Sequence, residues 1–167
     1  MNPEAELISG CLLHDRIAQR QLYDRYKNAM YTLAYRITGD FDDANDVLQD
    51  SFLDVFRHID QFRGESTLGA WIKKIVVRRS TKKKRIVIWD NIDDAPVMGV
   101  NWGEDEINAS HLETAILSLP DGFRTIFVLA EVEGYTHREI AVMLNISEGT
   151  SKSQLFYAKK KLRGMLS

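Results

Sequence analysis

Thr150, Lys152, Ser153, Gln154 and Tyr157 fall on the outward side of a predicted helix whose inward stripe is Leu155, Ala158 and Leu162. Lysine suits a DNA phosphate, and glutamine can pair with N6 and N7 of adenine. The set therefore has the make-up of a major-groove reader. A shorter helix precedes it, with Ile140, Ala141 and Leu144 inward and Thr136-His137-Arg138-Glu139 at capping-box spacing, which leaves His137 exposed. Asn145-Ile146 makes the turn and Ser147 caps the longer helix. These are helix-turn-helix proportions, and the second helix of that motif enters the major groove by its N-terminal half. Lys159, Lys160, Lys161 and Arg163 add attraction to the DNA backbone. The same residues would also suit a helical hairpin with a solvated lysine face.

A second basic group is Lys73, Lys74, Arg78, Arg79, Lys82, Lys83, Lys84 and Arg85, around a helix with Trp71, Ile72, Ile75 and Val76 inward. It follows the polar loop Arg63-Gly64-Glu65-Ser66-Thr67. One reading is a nucleic-acid face beside a loop that holds an unstacked base; the other is a solvated helix end favoured by the helix dipole. Catalytic sets are missing. The histidines at 14, 58, 111 and 137 have no metal-ligand spacing, Cys11 is the single cysteine, and no glycine-rich phosphate loop occurs. No enzyme, cofactor or metal is expected.

The elements that must position these groups are helices. Pro3 opens a short helix reaching about Leu13. Leu22, Tyr26, Met30, Leu33 and Ile37 make one stripe of a second helix over 15–38, which Gly39 closes. A third, over 42–59, carries Val47, Leu48, Phe52, Val55 and Phe56, and a fourth runs over 68–85. Residues 88–104 lose the period and hold Pro96, Gly99, Gly103 and four acidic groups, as a flexible acidic linker would. Helical stripes resume from 105, with Pro120 and Gly134 as breaks. The expected fold is all-α. Two small helical domains, 1–87 and 105–167, are joined by the linker 88–104, and the second domain contains the helix-turn-helix.

The net charge of −2 conceals an alternation: −5 over residues 1–60, +7 over 61–90, −8 over 91–133 and +4 over 134–167. Two basic blocks make two candidate polyanion contacts, and the acidic blocks can lie against them. No apolar run approaches the ~20 residues of a membrane helix, and the first residues lack the order of a signal peptide. A cytoplasmic protein that does not insert into membranes is expected.

Four segments resemble the extracytoplasmic-function (ECF) sigma factors of bacterial RNA polymerase. Asp43-Ala44-Asn45-Asp46-Val47-Leu48-Gln49-Asp50-Ser51-Phe52 is similar to that family's acidic signature, and Phe62-Arg63-Gly64-Glu65-Ser66 with Trp71-Ile72 to its loop and tryptophan segment. Leu119-Pro120 with Phe123-Arg124 matches a third motif, and Glu133 to Ser153 is close to the family's helix-turn-helix. Each is weak alone; their order and spacing over nearly the whole chain are specific.

The resemblance implies a sigma factor that binds core RNA polymerase and directs it to specific promoters, including opening of the −10 strands. The core polymerase would bind Asp46, Gln49, Asp50 and Phe52. Promoter DNA at −10 would meet Arg63, Gly64, Glu65, Ser66, Thr67, Lys74, Arg78, Lys82 and Arg85 in the first domain. The −35 duplex would meet Thr150, Lys152, Ser153, Gln154 and Tyr157 in the second. An anti-sigma factor is a further implied partner. The linker would thread toward the RNA exit path. Arg78, Lys82, Ser151, Gln154 and Tyr157 depart from the residues usual in the family, which points to altered promoter specificity and local packing. The alternative is a stand-alone helix-turn-helix regulator of duplex DNA, which leaves residues 40–85 without a role.

Overall fold

The computed structural model describes residues 2–88 and 109–166, and its regular elements are all helical. Most of the expected linker therefore lies outside the described residues. The chain divides into two compact units, one ending at Lys84 and one beginning at Arg85.

The first unit holds α1 (Pro3–Leu12), α2 (Arg16–Thr38), α3 (Phe41–His58) and α4 (Leu68–Lys84), with a 3-10 turn at Ile59–Gln61. Their ends follow from local chemistry. The carboxylate of Asp15 accepts from the Ile17 N–H, that of Asp40 from the Asp43 N–H, and Gly39 closes α2 at φ +69°. A left-handed C-cap suits glycine, which has no Cβ to clash. Gly10 serves a different purpose: a Cβ there would sit 2.4 Å from the Ala18 Cβ, so its absence lets α1 and α2 close. The core is Leu22, Met30, Leu33 and Ile37 of α2 against Val47, Leu48, Phe52 and Val55 of α3 and Leu68, Ile72 and Val76 of α4.

Three ion pairs join the acidic α3 to the basic α4. Lys84 Nζ lies 3.0 Å from Asp43, Lys83 Nζ 3.2 Å from Asp46, and Arg79 donates twice to Asp54, at 2.5 and 2.8 Å. The partner order reverses along the two helices, as antiparallel packing requires. Charge alternation along the sequence is here cross-helix pairing within one unit.

The second unit holds α5 (Ala109–Ser118), α6 (Asp121–Phe127), which runs on into a π-helical turn at Val128–Val132, α7 (His137–Leu144) and α8 (Glu148–Leu166). Both halves of the Thr136/Glu139 capping box form, and Asn145 closes α7 at φ +55°. Arg124 is buried; its guanidinium donates to the Leu119 carbonyl at 2.8 Å and to Asp121 at 2.6 Å, which ties down the end of α5 and the start of α6. His137 is half-buried rather than exposed, because its Nδ1 meets Ser151 Oγ at 2.7 Å across the α7–α8 contact.

Candidate nucleic-acid and polymerase interfaces

Lys74, Arg78 and Lys82 recur at intervals of four and are exposed along one edge of α4. With Asp54, His58, Gln61, Trp71, Ile75 and Arg79 they line a groove of about 580 Å³. Trp71 packs against Phe62 with ring centroids 5.5 Å apart and remains half-exposed in the groove wall. Trp71 and Ile75, expected inward with Ile72 and Val76, lie instead at the edge of the buried arc Leu68, Ile72, Val76 and Val77 and face the groove. Next to the groove, Arg63, Gly64, Glu65, Ser66 and Thr67 are all exposed, and Gly64 holds φ +74°.

Two members of the basic block sit differently from the rest. Arg79 is committed to Asp54, whose carboxyl its hydrogen bonds hold below the ordinary carboxylate range. Arg85, expected with the −10 set, belongs to the second unit. α4 ends at Lys84, Arg85 turns to φ +50°, and its side chain lines a pocket of the second unit with Pro120, Phe123 and Gln154. The first compact unit ends with α4 at Lys84, against an expected boundary at residue 87.

On α3, Asp46, Gln49 and Asp50 are exposed on one face, and the Gln49 amide donates to the Tyr23 hydroxyl at 3.3 Å. Phe52 corrects the outward place that the resemblance implied: it is 3% exposed and packs edge-on against Tyr23, centroids 5.0 Å apart. It follows Leu48 by one turn and precedes Val55 by three residues, which keeps it in the inward stripe. The apolar member of the outward face is Leu53, 52% exposed, which the sequence reading missed although its spacing from Asp46, Gln49 and Asp50 marks it.

α8 shows another correction. α5, α6 and α7 all pack against it, so its covered arc is wider than one stripe. Ser151, Gln154, Leu155, Ala158, Leu162 and Met165 are buried. Gln154, at the edge of that arc and 1% exposed, does not point outward. Thr150, Ser153 and Tyr157 are half-exposed and Lys152 is exposed. The outermost stripe is Lys152, Phe156, Lys160 and Arg163; Phe156, 56% exposed, was missed. Of the other cations, Lys159 pairs with Glu131 at 2.7 Å and Lys161 lies 5.6 Å from the Phe123 ring centroid.

Among the described residues no group of three His, Cys, Asp or Glu is placed to hold a metal ion, and no helix is long and apolar enough to cross a membrane.

The Sigma-70 region 2 family model matches residues 22–85 and the Sigma-70, region 4 model residues 111–162. SigM of Mycobacterium tuberculosis (strain Erdman), an ECF RNA polymerase sigma factor, is 30% identical over 166 residues, 97% of this chain and 84% of the relative. SigW of Bacillus subtilis, likewise an ECF RNA polymerase sigma factor, is 28% identical over 91% of this chain and 90% of its own length. The chain spans 60% of the length of another, SigE of Mycolicibacterium smegmatis, at 29% identity. In fold, CnrH, solved with the cytosolic domain of CnrY, matches with a TM-score of 0.61 at 21% identity, over 99% of this chain and 97% of that one. The sigma factor RpoE of Bartonella quintana, solved with the anti-sigma factor NepR, matches with 0.58 at 20% identity, over 88% and 95%. With both sigma regions present in order and a relative of this identity along nearly its whole length, the chain belongs to the extracytoplasmic-function sigma factors, which direct bacterial RNA polymerase to promoters.

Proposed function

We propose that the two units divide the promoter between them, and that the first also holds the polymerase. The exposed stripe Lys74, Arg78 and Lys82, beside an aromatic-walled groove and the open loop Arg63–Thr67, carries this reading. A cationic track next to an aromatic wall suits single-stranded DNA, whose backbone follows the charge while a base stacks. That strand would be the −10 element. On α8, Lys152 and Lys160 suit phosphates, Phe156 can meet a thymine methyl, and Thr150, Ser153 and Tyr157 flank them as groove contacts to the −35 duplex.

Energetics assign the rest. Unstacking duplex DNA costs about 1.4 kcal/mol per base-pair step. Capturing one base returns about 1–3 kcal/mol. A bubble of several steps therefore needs the polymerase. Asp46, Gln49, Asp50 and Leu53 form a non-DNA surface on the opposite side of α3 from its core stripe, and we assign the core enzyme to it. The protein acts in the cytoplasm, where that enzyme works, and has no catalytic role of its own. An anti-sigma factor is the natural inhibitor, since RpoE of similar fold was solved with one.

Selection from a library of promoter-like duplexes, with and without core polymerase, tests the reading. A two-part sequence selected only when both proteins are present is the expected result. A single duplex site selected by the chain alone, with no effect of core, would instead make it a stand-alone regulator. Charge reversal at Lys74, Arg78 and Lys82 should abolish opening of the selected promoter while leaving core binding intact.

A further inference from the structure

Residues Arg85 to Ile88 belong to the second unit and lie along α6 and α8. Ile86 and Ile88 are half-buried while the Val87 side chain is 56% exposed, the alternation of an extended strand laid on a surface. Its seat is Gly122. A Cβ on Gly122 would stand 2.8 Å from the Val87 carbonyl oxygen and 3.5 Å from Ile88 Cδ1. Arg85 to Val87 share a pocket with Gln154, and Ile88 shares the next with Asn145, Ile146, Ser147 and Thr150. The segment therefore follows α8 from Gln154 toward the N-terminal end of the helix.

We propose that this four-residue strap is an intramolecular latch on the DNA-reading helix: strap docking and insertion of α8 into duplex DNA exclude one another. The argument is steric. An α-helix with its side chains is roughly 10–12 Å wide and the major groove is roughly 12 Å wide. A helix fits, backed by α5, α6 and α7 on its covered side; a further strand beside Thr150, at its leading end, takes up groove width the helix needs. The strap also borders Gln154 together with Pro120 and Phe123, adding to the cover that the packed helices give this side chain. Whatever holds residues 85–88 elsewhere, such as the polymerase in the assembled complex, unmasks the helix. The proposal rests on the assignment of α8 to the −35 duplex.

Gly122→Ala supplies the test, because the added methyl meets the strap backbone rather than any side chain assigned to DNA. Ile86→Asp/Ile88→Asp is the second variant, confined to the strap and harmless to the interior of the unit. Strap occupancy is read in full-length protein carrying Gln154→Cys, from the rate of thiol labelling. The native Cys11 stays silent, being buried, with burial and then Asp15 pushing its thiol up. Affinity is read separately, without Gln154→Cys, on the duplex selected with polymerase, using the full chain alone at fixed salt. Both strap variants should label at least tenfold faster and bind the duplex at least tenfold more tightly. Unchanged labelling in both would overturn the docked strap. Faster labelling with unchanged affinity would overturn the exclusion. If neither wild type nor variants bind the duplex and the holoenzyme also ignores it, the −35 assignment fails and the latch with it. A holoenzyme that reads the duplex while all free chains bind it equally refutes the latch alone.

Discussion

Arg79 sits in the middle of the basic block, yet its charge is spent inside the fold. Its guanidinium meets Asp54 in a two-point contact at 2.5 and 2.8 Å, with the Asp54 side chain 17% exposed and that of Arg79 32% exposed. Hydrogen bonds to charged groups contribute about 1.5–3 kcal/mol when well shielded. Partial exposure lowers this, and Arg57, 3.9 Å from the same carboxylate, would remain as a weak substitute. A coupling of about 1–2 kcal/mol is therefore expected between Arg79→Met and Asp54→Asn in a double-mutant cycle. The assay is urea unfolding of the full chain in a Trp89→Phe/Trp102→Phe background, so that Trp71 of α4 reports the first unit alone. The hydrogen bonds from Arg79 depress the Asp54 pKa in the folded state. The contribution is thus fully present above the unfolded value of about 3.9 and is lost as pH falls through the folded value. The gap in stability between wild type and Arg79→Met should be flat from about pH 5 to 8 and close below about pH 4. A coupling under about 0.5 kcal/mol, or one that persists undiminished at the acid end, would refute the reasoning.

Arg124→Met should cost the second unit about 2–4 kcal/mol in unfolding experiments, since it strands the Leu119 carbonyl and the half-exposed Asp121. Phe52→Ala should destabilise the first unit by about 3–5 kcal/mol. Leu53→Asp, in contrast, should leave stability nearly unchanged and weaken binding to core polymerase in a pull-down titration. On α8, Lys152→Ala should reduce the salt dependence of duplex binding by about one phosphate, and Phe156→Ala should lower discrimination among −35 sequences by about 1–3 kcal/mol in competition assays. Ser51 and Ser80 have buried hydroxyls without a hydrogen-bond partner. Alanine at either should be neutral or stabilise by up to about 1 kcal/mol in thermal unfolding, because an unpaired buried hydroxyl costs free energy.

Periodicity, caps and breakers are local, and they sufficed to mark the helices: the stripe from Leu22 to Ile37, the Asp40 cap, the Thr136/Glu139 box and the Pro120 break are all present where the residues imply them. The same holds for the exposed stripe of Lys74, Arg78 and Lys82, which follows from an interval of four alone. What periodicity leaves open is the width of the covered arc. One packing partner buries a narrow stripe; three bury Gln154 as well. Phe52 stays in the stripe that its spacing marks, and Leu53, about 100° further round, takes the place on the outward face that the family resemblance gave to Phe52. Charge pairing is less legible still. Lys83 with Asp46 and Arg79 with Asp54 are distant in sequence, and nothing local separates Arg79 from Arg78 beside it. Tertiary structure makes one a structural ion-pair partner and leaves the other at the groove, because antiparallel packing of α3 and α4 brings only one of the two guanidinium groups within reach of Asp54.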